Sequence, residues 1–421
     1  MPDLLSLFPP GSGRAGDGVL TVGGCRADDL AARYGTPVLV VAEDALRARA
    51  REYADGLAGR WPRGRVVFAS KAFPATAVQR VMAEEGLGLD VAGGGELLGA
   101  LRAGVDPARV VVHGNAKTDE EIAMAVDAGV GLVVVDGPDD VDRLEAAVPP
   151  GRRQDVLVRV IPGVVADTHA SVLTGHAGSK FGVVPEVAAQ LVRRIRRSAR
   201  LVVRGLHVHV GSQILDVEPF AASVAPLGAL GEFEVYDLGG GLGARYTWAD
   251  RPPTVAAYLD ALAGAARAHL PAGAELVLEP GRSMVAAAGT TLYRVVTVKR
   301  GPGTTFVAVD GGMGDNLEVA LFGQRFEAGL ADRLDAGSGA GERCTVVGRH
   351  CESGDVLVDG VALPGPRVGD LLAVPVTGAY CFPMSNSYNG ARRIPVVFAR
   401  DGASRLVVRR DTWDDLLARD A

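Results

Sequence analysis

Between Val66 and Glu279 the chain repeats one pattern: a short apolar run, a polar or glycine residue at its end, then an Ala-rich stretch of helical character. The runs fall at 66–70, 87–92, 109–113, 132–136, 155–160, 202–210, 235–238 and 276–279. Each has strand length, is rich in β-branched residues and is bounded by turn signals. Eight strands alternating with helices predict an α/β fold, a parallel (β/α)8 TIM-type barrel. An open doubly wound sheet has fewer strands and a Gly-rich turn after its first. No such turn follows Val41.

Three segments are expected. Residues 1–36 are Gly- and Pro-rich, with a short strand at Val19–Val22, and are expected to pack with a C-terminal β-domain. Residues 37–289 form the barrel domain, which starts with a strand at Val38–Val41 and a helix at Asp44–Leu57. From 290 to 421 short strands separated by turns such as Gly301-Pro302-Gly303 predict a C-terminal all-β domain, interrupted by a Gly/Ala/Ser loop at Asp335–Gly341.

Charge and cysteine usage exclude several partners. With 44 basic and 50 acidic side chains the net charge is −6, which favours neither nucleic acid nor an anionic membrane. Met1-Pro2-Asp3-Leu4-Leu5 lacks the basic segment and apolar core of a signal peptide, and no apolar run reaches spanning length. Cys25, Cys344, Cys351 and Cys381 have no CxxC pair or zinc spacing and fit reduced thiols in a cytoplasm.

The chemistry is expected at the strand ends, because barrel enzymes carry it on the C-terminal face. Those ends bear Lys71, Asp90, His113, Asp136, Arg159, His209, Gly239-Gly240-Gly241 and Glu279-Pro280-Gly281-Arg282. Lys71 is an amine on the lip of a buried strand, suited to imine formation with an aldehyde such as that of pyridoxal phosphate. A snorkelling surface lysine is the plain alternative. Asp237 to Gly243 is a glycine loop able to receive a phosphate, and Gly281 beside Arg282, one strand later, makes a second anion-binding element. Glu279 can keep a pyridine nitrogen protonated, or can form a salt bridge with Arg282. His207 and His209 share one strand face, and His209 can lie against a cofactor ring. The pair could also ligate a metal, but no third ligand stands nearby in sequence. In the β-domain, Gly348 to Asp355 sets Cys351 beside Glu352 in a polar turn, and Gly378-Ala379-Tyr380 presents a phenol.

As a set these segments resemble the fold type III PLP-dependent decarboxylases, and among them the diaminopimelate decarboxylases. The resemblance runs through Phe68-Ala69-Ser70-Lys71-Ala72, Gly88-Leu89-Asp90-Val91, Gly94-Gly95-Glu96-Leu97, His113-Gly114-Asn115-Ala116-Lys117 and Thr174-Gly175-His176. It continues through Ser179-Lys180-Phe181-Gly182, His207 to Gln213, Asp237 to Gly241, Glu279 to Arg282, Asp310-Gly311-Gly312-Met313, His350 to Asp355 and Gly378-Ala379-Tyr380. It implies a homodimer with shared active sites that decarboxylates a small amino acid. Lys71 would hold pyridoxal 5'-phosphate and His209 would stack on its ring. Asp90 would belong to the cofactor site, and Glu279 would pair with the ring nitrogen. Ser212, Gly239, Gly240, Gly241, Gly281, Arg282 and Tyr380 would serve the phosphate or the nearby substrate end. Cys351 from the partner subunit would donate a proton, and Glu352 would meet the distal amine.

Two places depart from the family pattern. Glu318 stands where these decarboxylases carry an arginine for the distal carboxylate, and Phe322 lacks the hydroxyl of the usual tyrosine. The loop at His176-Ala177-Gly178 lacks acidic residues. An anion in place of a cation turns attraction into repulsion, so the expected substrate is a diamino acid or conjugate other than meso-diaminopimelate. Arg325 or Arg392 could instead restore the charge and keep diaminopimelate as substrate. A catalytically silent binding protein would be expected to have lost Lys71 or Cys351, and both are present.

Overall fold

The computed structural model describes residues 3–164, 179–334 and 341–421. The loop at 335–340 and the His176-Ala177-Gly178 segment lie outside the described residues. The chain forms two compact units: Arg49–Gly243 with Pro252–Ser283, and Met1–Ala48 with Ala244–Arg251 and Met284–Ala421.

In the first unit eight parallel strands close into a barrel. They are β1 (Gly64–Ala69), β2 (Gly88–Val91), β3 (Val110–Val112), β4 (Leu132–Val135), β5 (Gln154–Arg159), β6 (Leu201–His207), β7 (Val235–Asp237) and β8 (Glu275–Leu278). Neighbours in the barrel are neighbours in sequence, and β8 pairs with β1 to close it. Each apolar run read from the sequence corresponds to one of these strands, to within a few residues at its ends.

Strand alternation decides where the polar groups go. Val67, Val111, Leu132, Val134, Leu157, Val235 and Val277 form one buried apolar cluster. Two residues further along the chain, by the period of two of a strand, come His113, Asp136, Arg159, Asp237 and Glu279. All five are buried. The barrel therefore has an apolar layer below a polar one at its C-terminal mouth. Burying each Val or Leu side chain contributes roughly 1.5–3 kcal/mol, which offsets the cost of holding charged groups above them.

The second unit is built on a nine-stranded sheet. Its main path runs Val356–Leu363, Glu342–Val347, Thr304–Val309, Gly289–Gly301, Val38–Ala42, Val396–Arg400, Ala403–Val408. The unit also carries the helices Ala27–Tyr34, Glu318–Phe322 and Trp413–Leu417, so it is sheet-rich and not purely β. The strand at Val38–Ala42, expected to begin the barrel domain, belongs here. It lies antiparallel to Gly289–Gly301 and parallel to Val396–Arg400, with all five residues buried. An apolar run specifies burial but not which sheet supplies it. The barrel unit thus begins at Arg49 and not at 37, and ends at Ser283 and not at 289.

Candidate active site

Every site residue expected in the barrel stands at a C-terminal strand end. Lys71 lies in a 3-10 turn, Ser70–Ala72, directly after β1. Asp90 is the third residue of β2 and is buried. His209 and Ser212 follow β6, Gly239–Gly241 follow β7, and Glu279, Gly281 and Arg282 follow β8. Lys71 is placed among the acidic and imidazole groups electrostatically. Burial raises the Asp90 carboxyl, while the charges of His113 and, more weakly, Lys71 oppose that rise. Burial, then the positive charges of Lys71 and Arg159, hold His209 well below the usual imidazole range, so it is neutral.

Glu279 is the hub of the polar layer. Its Oε1 lies 2.6 Å from His113 Nε2, a close polar contact. Its Oε2 is hydrogen-bonded to His207 Nε2 at 3.2 Å. The two imidazoles meet edge to face with centroids 4.8 Å apart. Burial pushes the Glu279 carboxyl up, but His113 and His207 outweigh it, so the group sits well below the ordinary carboxylate range. Asp237 goes the other way: burial, then the charge of Glu279, raise it well above that range. One of two adjacent carboxyl groups is an anion and the other holds a proton. The alternative salt bridge between Glu279 and Arg282 is not what is seen, because Arg282 Nε donates to Ser212 Oγ at 3.2 Å.

The glycine run works mainly by closeness. Gly239 N–H donates to Asp237 Oδ1 at 2.9 Å, and Gly240 N–H donates to His209 Nδ1 at 3.2 Å. Two of the three amides expected to face an anion thus have partners within the protein, Asp237 in the same loop and His209 after β6. Gly239 and Gly241 have φ of 68° and 117°, which side chains rarely adopt. A Cβ on Gly240 would fall 2.0 Å from the carbonyl oxygen of Glu279. Gly240→Ala is therefore expected to displace Glu279 and His209 together, lowering cofactor affinity by about tenfold or more; equilibrium titration with pyridoxal phosphate checks this.

In the sheet-rich unit, Cys351 is exposed in a turn held from several sides. Asp355 accepts from the backbone N–H of Met313 at 2.6 Å and of His350 at 2.8 Å, and His350 Nε2 accepts from Gly314 N–H at 3.2 Å. Cys351 N–H donates to Asn389 Oδ1 at 2.9 Å. Glu352 beside it is exposed, and Tyr380 is half-buried at a φ of 62°. Glu318 is fully buried and accepts a hydrogen bond from Tyr246 Oη at 3.2 Å. Phe322 ends the same short helix, half-buried. Arg392 lies over the Trp413 ring at 4.5 Å, whereas Arg325 is exposed.

The sequence pattern singles out Glu279 without grouping it with its neighbours. His113, His207 and Asp237 bring their polar atoms, with those of Glu279, within 4.8 Å of one another. The signal is present in part, since His113, Asp237 and Glu279 each lie at a strand end two positions after a residue of the apolar cluster, while His207 follows Gly205. The further groups missing beside the histidine pair come from β3, β7 and β8, far away in sequence but adjacent once the barrel closes.

Residues 43–286 match the family model "Pyridoxal-dependent decarboxylase, pyridoxal binding domain". The diaminopimelate decarboxylase of Actinosynnema pretiosum subsp. auranticum is 44% identical over 432 residues, covering 98% of this chain and 95% of the relative. That of Bacillus subtilis (strain 168) is 38% identical over 423 residues, covering 96% and 95%. Among solved structures, a diaminopimelate decarboxylase from M. jannaschii in co-complex with L-lysine superposes with a TM-score of 0.91 at 30% identity, covering 98% of each chain.

Proposed function

The chain belongs to the pyridoxal-dependent decarboxylases, a family of PLP-dependent carboxy-lyases, and from that membership we propose that it converts meso-diaminopimelate to L-lysine and CO2. The observation that carries the substrate is the near full-length similarity to several relatives named for that activity. Pyridoxal 5'-phosphate is the cofactor, and the barrel mouth fits it. It offers an amine at Lys71, a neutral imidazole at His209, an ionised buried carboxylate at Glu279, and a guanidinium beside a hydroxyl at Arg282 and Ser212.

When bound, the cofactor supplies an electron-withdrawing ring that takes up the electron pair left at Cα as CO2 departs. Lys71 would hold it through its side-chain amine, the group that an incoming substrate amine would replace. Glu279 would keep a proton on the ring nitrogen. The Gly240 N–H, by occupying His209 Nδ1, places the imidazole proton on Nε2 and fixes the ring that would lie against the cofactor. Ser212, Gly241, Gly281, Arg282 and Tyr380 are proposed to receive the phosphate and the substrate end near it, with Gly239 and Gly240 shaping the loop. Asp90 lines the same mouth. Cys351 of the partner subunit is proposed to deliver a proton to Cα, forming the C–H bond that replaces the C–CO2 bond. Its exposure and its pinned backbone support that role. Glu352 is proposed to meet the distal amine. The homodimer this requires, and a cytoplasmic location, are part of the same proposal.

Glu318 and Phe322 predict a different substrate, and the similarity to diaminopimelate decarboxylases favours diaminopimelate instead. Burial supports a physical reason. A fully buried carboxylate that accepts the Tyr246 hydroxyl serves as a packing anchor within its own unit, and not as an open negative charge. Arg325, exposed, is the arginine proposed to meet the distal carboxylate, since Arg392 lies over Trp413. It follows that Glu318→Arg should destabilise the fold by about 3–5 kcal/mol, because it buries an uncompensated cation. Glu318→Gln, which still accepts from Tyr246, should cost under about 1.5 kcal/mol. Chemical denaturation of both variants checks this, and equal stability would contradict the anchor.

The function itself is tested by running the reaction in D2O. L-lysine carrying one deuterium at the decarboxylated carbon is the expected product. Unchanged meso-diaminopimelate in the presence of bound cofactor would overturn the substrate assignment.

A further inference from the structure

This inference rests on reading the barrel mouth as a pyridoxal phosphate site and concerns what controls Glu279. Each oxygen of that carboxylate faces an imidazole nitrogen, His113 at 2.6 Å and His207 at 3.2 Å. The rings brace one another at 4.8 Å, and their exposures are 7% and 1%. Among the described residues His207 Nδ1 has no hydrogen-bond partner, so in the neutral ring the single proton belongs on Nε2, aimed at Glu279. Burial is the main cause that lowers His207 to about 3, which keeps it neutral and makes it a donor and not a counter-charge. A carboxylate so deeply buried either takes a proton or is held by donors. Here the proton resides on Asp237, whose other contact, to Gly239 N–H, ties it to the glycine loop.

We propose that His113 and His207 are positioning residues that decide whether the cofactor's ring nitrogen is protonated, by holding Glu279 between them as an oriented anion. Neither histidine has to touch the substrate. Their effect passes through one carboxylate to the ring, and so to how readily the ring accepts electrons. Asp90, 3.6 Å from His113, and Arg159 border the same group. They surround the clamp without replacing either contact to Glu279.

The test uses holoenzyme reconstituted with pyridoxal phosphate carrying 15N in the ring, read by NMR. Wild type should give the protonated-nitrogen signal. His113→Leu and His207→Leu should move it toward the unprotonated position, with kcat lower by about ten- to a hundredfold and KM changed by less than about threefold. His113→Gln and His207→Gln, which keep a nitrogen donor at similar reach, should retain most of the wild-type signal. Asn variants, which retract the donor, make the same test where a Leu variant does not fold. Leu or Asn variants that bind cofactor with an unchanged 15N signal would overturn the inference while leaving the site reading intact. So would one equivalent of metal retained by wild type and lost with His113→Leu, since the four groups would then be ligands. A wild type that binds no cofactor would overturn both readings.

Discussion

Lys71→Ala is expected to abolish turnover, by about a thousandfold or more in kcat, and to leave the protein colourless under conditions in which the wild type is yellow. Lys71 follows β1 in a 3-10 turn, and its charge is felt by Asp90, Glu96 and His209, three groups of the same barrel mouth. Burial pushes Glu96 up to about 7, so the acidic groups around the amine are not uniformly ionised near neutrality. Borohydride should fix the cofactor to Lys71 in the wild type, as peptide mapping can establish. Cofactor fixed to another lysine, or a yellow Lys71→Ala protein, would contradict the assignment.

Cys351→Ala is expected to keep the cofactor absorbance while lowering turnover by about 10²–10⁴-fold, the range for loss of a general acid. The thiol is exposed in a turn whose backbone is fixed through Asp355, His350 and Asn389. Equal mixing of inactive Lys71→Ala and Cys351→Ala proteins should restore about a quarter of wild-type activity. Half the dimers would then be mixed, each with one intact site of two. Mixing that restores nothing, with subunit exchange shown by a mass tag, would place Cys351 in its own protomer's site.

The barrel was legible because its strands are buried on both faces and read as apolar runs of strand length. Lys71, His209, the glycine run and Glu279 were legible for a related reason: each terminates such a run. What sequence could not supply was pairing over long separations. The run at Val38–Ala42 looks like any barrel strand, but its partners, Gly289–Gly301 and Val396–Arg400, lie more than two hundred residues away. The His113 and His207 contacts to Glu279 depend on barrel closure in the same way. Glu318 is ambiguous in the sequence for another reason. Its charge argues for repulsion only if it faces open space, and burial against Tyr246 is a tertiary fact.

The central claim is that this barrel decarboxylates meso-diaminopimelate with pyridoxal phosphate. CO2 release by purified holoenzyme, measured as kcat/KM for meso-diaminopimelate, L-lysine and L-ornithine, tests it most directly. The account predicts meso-diaminopimelate to be preferred by at least about tenfold, which corresponds to roughly 1.4 kcal/mol of transition-state stabilisation. Preference for a substrate without a distal carboxylate, with meso-diaminopimelate turned over poorly, would contradict it and return Glu318 and Phe322 to the role of specificity determinants.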